Sequence, residues 1–322
     1  MPREETMATT TKALKRLTGA FGIAVVALVP LTASAQERIT IGTGSTGGVY
    51  YPLGGGMAEI FSKTIDGVSA SAEVTGASIE NSRRVGSGEM TLGIGNANTV
   101  YFAKNGEKPF RQAWPLEAVA ALYPSTIQII VRSDSGIETV ADLEGKRVAV
   151  GPPGGSTRVM ADAVFEGAGI DVQREYLDFT EATEALKDRN LDASVVLAAF
   201  PTPTVIDLAT TADIKVLPLD EDVLTKTHEK YPYYIAGTIP AGTYDGQDGD
   251  VATLNIWNIL FVNEATDDDL VYQMTKALFE NIAELQAIHP AAKQIQPETA
   301  IETPIALSPG AERYYREAGA LD

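Results

Sequence analysis

Ile39-Thr40-Ile41-Gly42-Thr43-Gly44-Ser45-Thr46-Gly47-Gly48-Val49-Tyr50 reads as a short apolar strand running into a glycine-rich turn and then a helix. The helix is marked by Leu53, Met57, Ile60 and Phe61, which recur at helical spacing. The same grammar returns in Val148-Ala149-Val150-Gly151-Pro152-Pro153-Gly154-Gly155-Ser156-Thr157-Arg158. In both stretches glycines let the backbone approach a ligand and hydroxyls can donate hydrogen bonds. The first N–H groups of each helix have no partner inside it and point at whatever lies in front. Each such terminus favours an anion by about 0.3 to 1 kcal/mol. Either turn alone is equally well explained as an ordinary strand-to-helix connection with a good cap. Two of them facing one another across a cleft make a clamp for a small anion.

Working outward, short apolar strands alternate with helical patterns. The first set has strands over 38–42, 70–75 and 90–95 and a short helix over 78–85. The second has strands over 127–131, 147–151, 193–197 and 214–217 and a helix over 156–166. This alternation predicts an α/β fold of parallel sheets flanked by helices. A further strand is expected over 259–262. Thr266 and Asp269 then stand at capping-box spacing before one long helix, with a core face of Leu270, Met274, Leu278, Ile282 and Leu285, ending at His289-Pro290.

Arg3, Lys12, Lys15 and Arg16 precede an uncharged apolar run over 17–31 that closes on Ala33-Ser34-Ala35. Residues 1–35 therefore read as a secretory signal peptide cleaved after Ala35. Thr18, Gly19 and Gly22 interrupt the apolar run and argue against a membrane anchor. Losing four basic and two acidic residues moves the formal charge of −18 two units further negative. So acidic a chain repels nucleic acid and anionic lipid. Cysteine is absent, which excludes disulfides, thiolate chemistry and the acylated cysteine of a lipoprotein. An untethered secreted binding protein needs an outer membrane to confine it, which points to the periplasm. Removal of 35 of the 322 residues leaves 287, more than one core of ordinary size serves, and two lobes are expected.

Catalytic constellations are thin. Gly42, Gly44 and Gly47 match a dinucleotide fingerprint literally, yet the second strand closes on Val74-Thr75-Gly76 with no acid for a ribose. Neither turn carries a P-loop lysine, and with only His228 and His289 neither a zinc protease nor an α/β-hydrolase has its parts. Both histidines are expected at the surface or as caps, and Asp267-Asp268-Asp269 as helix-start acids with no metal role. No cofactor, metal or catalytic residue is expected. Arg158 can form a bidentate pair with a carboxylate or stand as a surface arginine. Asn96 and Asn98 follow the third strand, where open α/β sheets meet ligands, or act as loop caps. A basic residue deep in the cleft would mark a second carboxylate on the ligand.

Further markers are Tyr50-Tyr51-Pro52-Leu53-Gly54, Thr75-Gly76-Ala77-Ser78-Ile79-Glu80-Asn81 and Leu143-Glu144-Gly145-Lys146-Arg147-Val148-Ala149-Val150-Gly151. Later come Ala199-Phe200-Pro201-Thr202-Pro203, Ile239-Pro240-Ala241-Gly242-Thr243-Tyr244 and Pro309-Gly310-Ala311-Glu312-Arg313-Tyr314-Tyr315. In this order and spacing the chain resembles the TAXI family (TRAP-associated extracytoplasmic immunogenic proteins), solute-binding subunits of tripartite ion-driven importers. The resemblance implies a two-lobed type II periplasmic-binding fold, a Venus flytrap, that crosses near Thr126 and returns near Ala252. Residues 36–126 and 253–322 form the first lobe and 127–252 the second. It implies a carboxylate such as glutamate, glutamine or 2-oxoglutarate, the small and large permease subunits as partners, and no enzymatic activity. It carries over Ser45, Thr46, Gly48, Tyr50, Ser78, Asn81, Asn96, Asn98, Gly155, Ser156, Thr157 and Pro201 as the pocket, with Arg158 beside them from the reading above.

Two departures stand out. Asn96-Ala97-Asn98 replaces the Gln-Ser-Asp common in similar chains, removing an acid that could meet an ammonium and tilting toward an oxo- or hydroxy-dicarboxylate. Ser308 stands where a histidine is frequent. An ABC-type binding protein, a sensory binding protein and a secreted enzyme are the alternatives.

Overall fold

The computed structural model describes residues 36–322; the signal-peptide reading of residues 1–35 lies outside the described residues. The chain opens with β1 (Glu37–Gly42), α1 (Tyr50–Thr64), β2 (Val68–Glu73), α2 (Ser78–Gly86), β3 (Leu92–Asn96), α3 (Ala97–Asn105) and β4 (Leu116–Arg132). It continues through β5 (Arg147–Ala149), α4 (Thr157–Ala168), β6 (Gln173–Glu175), α5 (Phe179–Lys187), β7 (Ala193–Ala198), α6 (Pro203–Ala209), β8 (Ile214–Leu217), α7 (Glu221–Lys230) and β9 (Ile235–Ile239). It ends with β10 (Val251–Asn263), α8 (Asp268–Glu280), α9 (Ile282–Ile288), α10 (Pro297–Ala300) and α11 (Pro309–Glu317). Among the described residues no helix is long and apolar enough to cross a membrane.

The strands form one mixed sheet in the order β2-β1-β3-β10-β4-β7-β5-β6, with β8 on β4 and β9 on β10. Its flanks are parallel, as the strand–helix alternation predicts: β1 with β2 and β3 on one side, β5 with β6 and β7 on the other. The middle is antiparallel, because β4 and β10 run through the whole molecule. The early part of β4 pairs with β10, and from Thr126 onward it pairs with β7. Conversely, β10 pairs with β9 over Val251–Asn255 and with β3 over Asn258–Val262. Two groups of parallel strands joined by two through-going strands make a two-lobed α/β molecule. The lobe of β1–β3 is called the first and that of β5–β8 the second.

Each lobe is held by the apolar faces that periodicity predicts. Leu53, Met57, Ile60 and Phe61 of α1 are all buried against Ile39 and Ile41 of β1 and Leu92 and Ile94 of β3. Met160, Val164 and Phe165 of α4 pack with Val148, Val195 and Ile129. Burying each such side chain contributes about 1.5–3 kcal/mol.

Several expected boundaries move. The second strand covers 68–73, not 70–75, which frees Thr75 to donate its hydroxyl to Asn81 Oδ1 at 2.7 Å. The strands expected at 127–131 and 259–262 are only parts of β4 and β10. The N-cap of the long C-terminal helix is Asp267 and not Thr266: the Asp267 carboxylate accepts from the Leu270 N–H at 3.0 Å. The helix also breaks at Asn281, whose side chain donates to the Ala277 carbonyl at 2.8 Å and competes with the helical pattern. His289 caps as expected, accepting from the Ala291 N–H at 3.1 Å, but it is buried, not solvated. Its Nε2 donates to the Pro201 carbonyl at 3.0 Å. Ser308 accepts from the Ala311 N–H at 3.3 Å as the N-cap of α11.

Candidate ligand site

At the carboxyl ends of the first lobe's strands, Asn81 acts as a tie. Its amide donates to the carbonyls of Thr43 at 2.7 Å and Ile94 at 2.8 Å, and its oxygen accepts from Thr75. This fixes the exits of β1 and β3. A Cβ on Gly42 would come within 2.6 Å of Asn81 Oδ1, so the close approach requires glycine. The first turn then closes on itself: the Gly48 N–H donates to the Ser45 carbonyl at 3.0 Å and the Gly47 N–H to Ser45 Oγ at 3.3 Å. No side chain caps α1, leaving its first N–H groups facing the cleft.

The second turn bends at Gly151 (φ 84°) and Gly154 (φ 92°), a region that favours glycine. It reaches across the cleft. The Gly154 carbonyl accepts from the N–H groups of Ile79 at 2.9 Å and Glu80 at 3.1 Å, capping α2 in place of a side chain. Ser156 leaves α4 uncapped; its hydroxyl lies 3.2 Å from Ser78 Oγ and hydrogen-bonds Asn96 Oδ1. Ala77, between the lobes, has φ 73° and ψ −141°, a conformation that costs about 1–3 kcal/mol outside glycine.

The two turns therefore enclose one cavity of about 30 Å³, room for a water-sized group or two between the lobes as they stand. Among the candidate residues, Ser45, Gly48, Tyr50, Ser78 and Asn96 line it from the first lobe, and Gly155, Ser156 and Thr157 from the second. The other five do not. Thr46 is exposed, and Asn81 is the buried tie behind the wall. Asn98 is turned to the Tyr234 hydroxyl at 3.2 Å and to the Thr99 N–H at 2.8 Å. Arg158 pairs with Asp162 at 2.9 Å and lines a separate outer groove. Pro201 follows a cis peptide and gives its carbonyl to His289.

Sequence reasoning missed the apolar wall and the buried hydrogen-bonded layer behind the lining residues, which serves as their floor. Asn258 of β10 is fully buried, and its oxygen accepts from the Tyr50 hydroxyl at 2.6 Å, Asn96 Nδ2 at 2.8 Å and Ser125 at 3.1 Å, while its amide donates to the Tyr123 carbonyl at 2.7 Å. An asparagine inside the apolar run Ile256-Trp257-Asn258-Ile259-Leu260 was the available signal, since buried polar groups need partners. Phe179, Leu197 and Ala198 supply the apolar wall. Burial raises the Tyr50 hydroxyl pKa well above its ordinary value, so Tyr50 is a neutral donor. The other histidine, His228, donates Nδ1–H to the Tyr234 carbonyl at 2.7 Å, away from the cavity. Among the described residues no group of three or more His, Cys, Asp or Glu side chains is placed to hold a metal ion.

Several solved structures align with the chain at low identity. The effector-binding domain of QuiR in complex with shikimate aligns at a TM-score of 0.50 and 11% identity, over 81% of this chain and 100% of that one. The alkanesulfonate-binding protein SsuA of Xanthomonas axonopodis pv. citri, bound to MOPS, aligns at 0.48 and 17%, over 87% and 83%. An ancestral arginine-binding protein bound to arginine aligns at 0.49 and 16%, over 80% and 98%. In sequence, the profile of the NMT1-like family matches residues 41–319, nearly the whole of the described chain. The chain therefore belongs to the NMT1-like family.

Proposed function

We propose that this protein is the periplasmic solute-binding component of a membrane importer, which captures a small carboxylate between its two glycine-rich turns without chemical change. The observation that carries this reading is the convergence of both turns on one cavity, with Tyr50 at the start of α1 and Thr157 at the start of α4 on its wall. Carboxylate oxygens accept from the helix-start N–H groups and from the hydroxyls of Ser78, Ser156 and Thr157. The lobes divide at 126/127 and 252/253, and β4 and β10 supply the hinge about which they part to admit the solute. Closure expels water, and the closed form docks on the permease. The resemblance to TAXI proteins makes that permease the two membrane subunits of a TRAP-type importer.

A thermal-shift series with small carboxylates tests capture, because a ligand that prefers the folded state raises the midpoint. A concentration-dependent rise is expected, abolished in the double variant Ser156→Ala, Thr157→Ala. A rise with a sugar or a metal cation only would refute it. The membrane partner is tested by uptake in cells: collapse of the ion gradient stops a TRAP-type importer directly, whereas ATP depletion with the gradient clamped stops an ABC-type one.

A further inference from the structure

Resting on the carboxylate reading, we infer that the cavity selects a solute with a single negative charge and no cationic group, a short monocarboxylate, over dicarboxylates and amino acids. The lining holds no Arg, Lys, His, Asp or Glu. Its polar atoms belong to hydroxyls, one amide and the backbone, and the rest of the wall is apolar. A second carboxylate would be buried without a cation, and an ammonium without an anion; either unpaired charge carries a desolvation penalty of several kcal/mol.

The positive field available matches one charge. Each helix start is equivalent to roughly half an elementary charge. The starts of α1 and α4 lie on the wall, with Asn96 at the head of α3 beside them. Together these supply between about one and one and a half charges. The first N–H groups of α2 add nothing, because the Gly154 carbonyl already holds those of Ile79 and Glu80.

Two guanidiniums in the neighbouring groove do not change this balance. Arg158 is held by Asp162 and, like Arg83, lines the groove outside Pro152 and Gly155. The one amide on the lining is Asn96, whose oxygen accepts from the neutral hydroxyls of Ser78 and Ser156. A ligand hydroxyl suits such an acceptor; a second carboxylate, itself only an acceptor, does not.

Isothermal titration of the purified protein at pH 7 against matched pairs decides the matter: propionate with succinate, lactate with malate, and lactate with alanine. The expected result is that the monocarboxylate binds at least about tenfold tighter than its dicarboxylate or amino-acid partner. Succinate or malate binding as tightly as its partner overturns the single-charge inference and leaves the carboxylate reading standing. Alanine binding as tightly as lactate does the same. Heat from no carboxylate at all brings down the carboxylate reading and this inference with it.

Discussion

The two glycine-rich turns look alike in sequence and behave differently in space. The first folds mainly on itself through Ser45, gives the opposite lobe only the Gly47 carbonyl, and delivers an open helix start to the cavity. The second turns outward, giving a carbonyl to α2 and a hydroxyl to Ser78 and Asn96 of the opposite lobe. A strand-turn-helix pattern thus announces that backbone donors will gather at a point. It does not say whether they face a solute or the other half of the protein. Here both turns build the wall and both bond the opposite lobe, the first through one carbonyl, Gly47, which accepts from the Thr204 N–H at 3.3 Å, and the second through a carbonyl and a hydroxyl.

The sharpest way to break this comparison is beneath the first turn. Replacing Asn258 by leucine strips an acceptor from Tyr50, Asn96 and Ser125 and a donor from the Tyr123 carbonyl, all in the buried floor. We expect a loss of about 3 kcal/mol or more in urea unfolding, together with loss of ligand binding. A shift under about 1 kcal/mol would mean that the floor is not a structural support of the first turn.

Two glycines then separate the packing beneath the first turn from the bridge made by the second. A Cβ on Gly42 would meet Asn81 within the first lobe at 2.6 Å, and one on Gly76 would meet the Pro153 carbonyl of the second turn at 2.5 Å. Gly42→Ala should lower stability by about 1–3 kcal/mol. Gly76→Ala should hold the lobes apart, weakening solute binding by about tenfold or more while changing the unfolding midpoint less than Gly42→Ala does. If both variants lose stability equally, the second turn is as much a part of the fold as the first.

A smaller gain is expected from Ala77→Gly, which relieves the φ of 73° opposite the second turn and should add about 1 kcal/mol to the unfolding free energy. An unchanged denaturant midpoint would show that the residue is unstrained.

The smallest effect concerns His289, which touches neither turn and bonds the Pro201 carbonyl. Burial lowers its pKa, and the bond to Pro201 opposes that shift only in part. The unfolded chain takes up the proton first, near the ordinary histidine value of about 6.5. The His289 contribution is therefore fully present above that pH, declines as pH falls below it, and levels off once the folded pKa is passed. Stability measured from pH 8 to 5 in the protein and in His289→Gln should diverge in that window alone; parallel curves would remove His289 from the account.

The α/β class and the first strand-turn-helix were legible because apolar runs and glycines mark them. The continuity of β4 was not. Pro124 sits inside it, where proline ordinarily argues against a strand, and the pairing of β4 with β10 is irregular just there, between Trp257 and Ile259. Ser78 and Asn81 show the same limit at the site. One helical turn apart, both polar and both buried, they read alike, yet one faces the cavity and the other the strand ends. Only the register of α2 against β3 distinguishes them. Asn258 escaped because its purpose depends on Tyr50, which lies more than two hundred residues away in sequence.

The bond from the Gly154 carbonyl to α2 runs directly from backbone to backbone, so its contribution to closure is the same for every solute. In a fluorescent biosensor built on this chain, with a dye on each lobe, that shared contribution sets the background signal, and only the remainder reports concentration. Pro153, which flanks Gly154 without lining the cavity, is accordingly where such a sensor's dynamic range can be tuned without altering what it recognises.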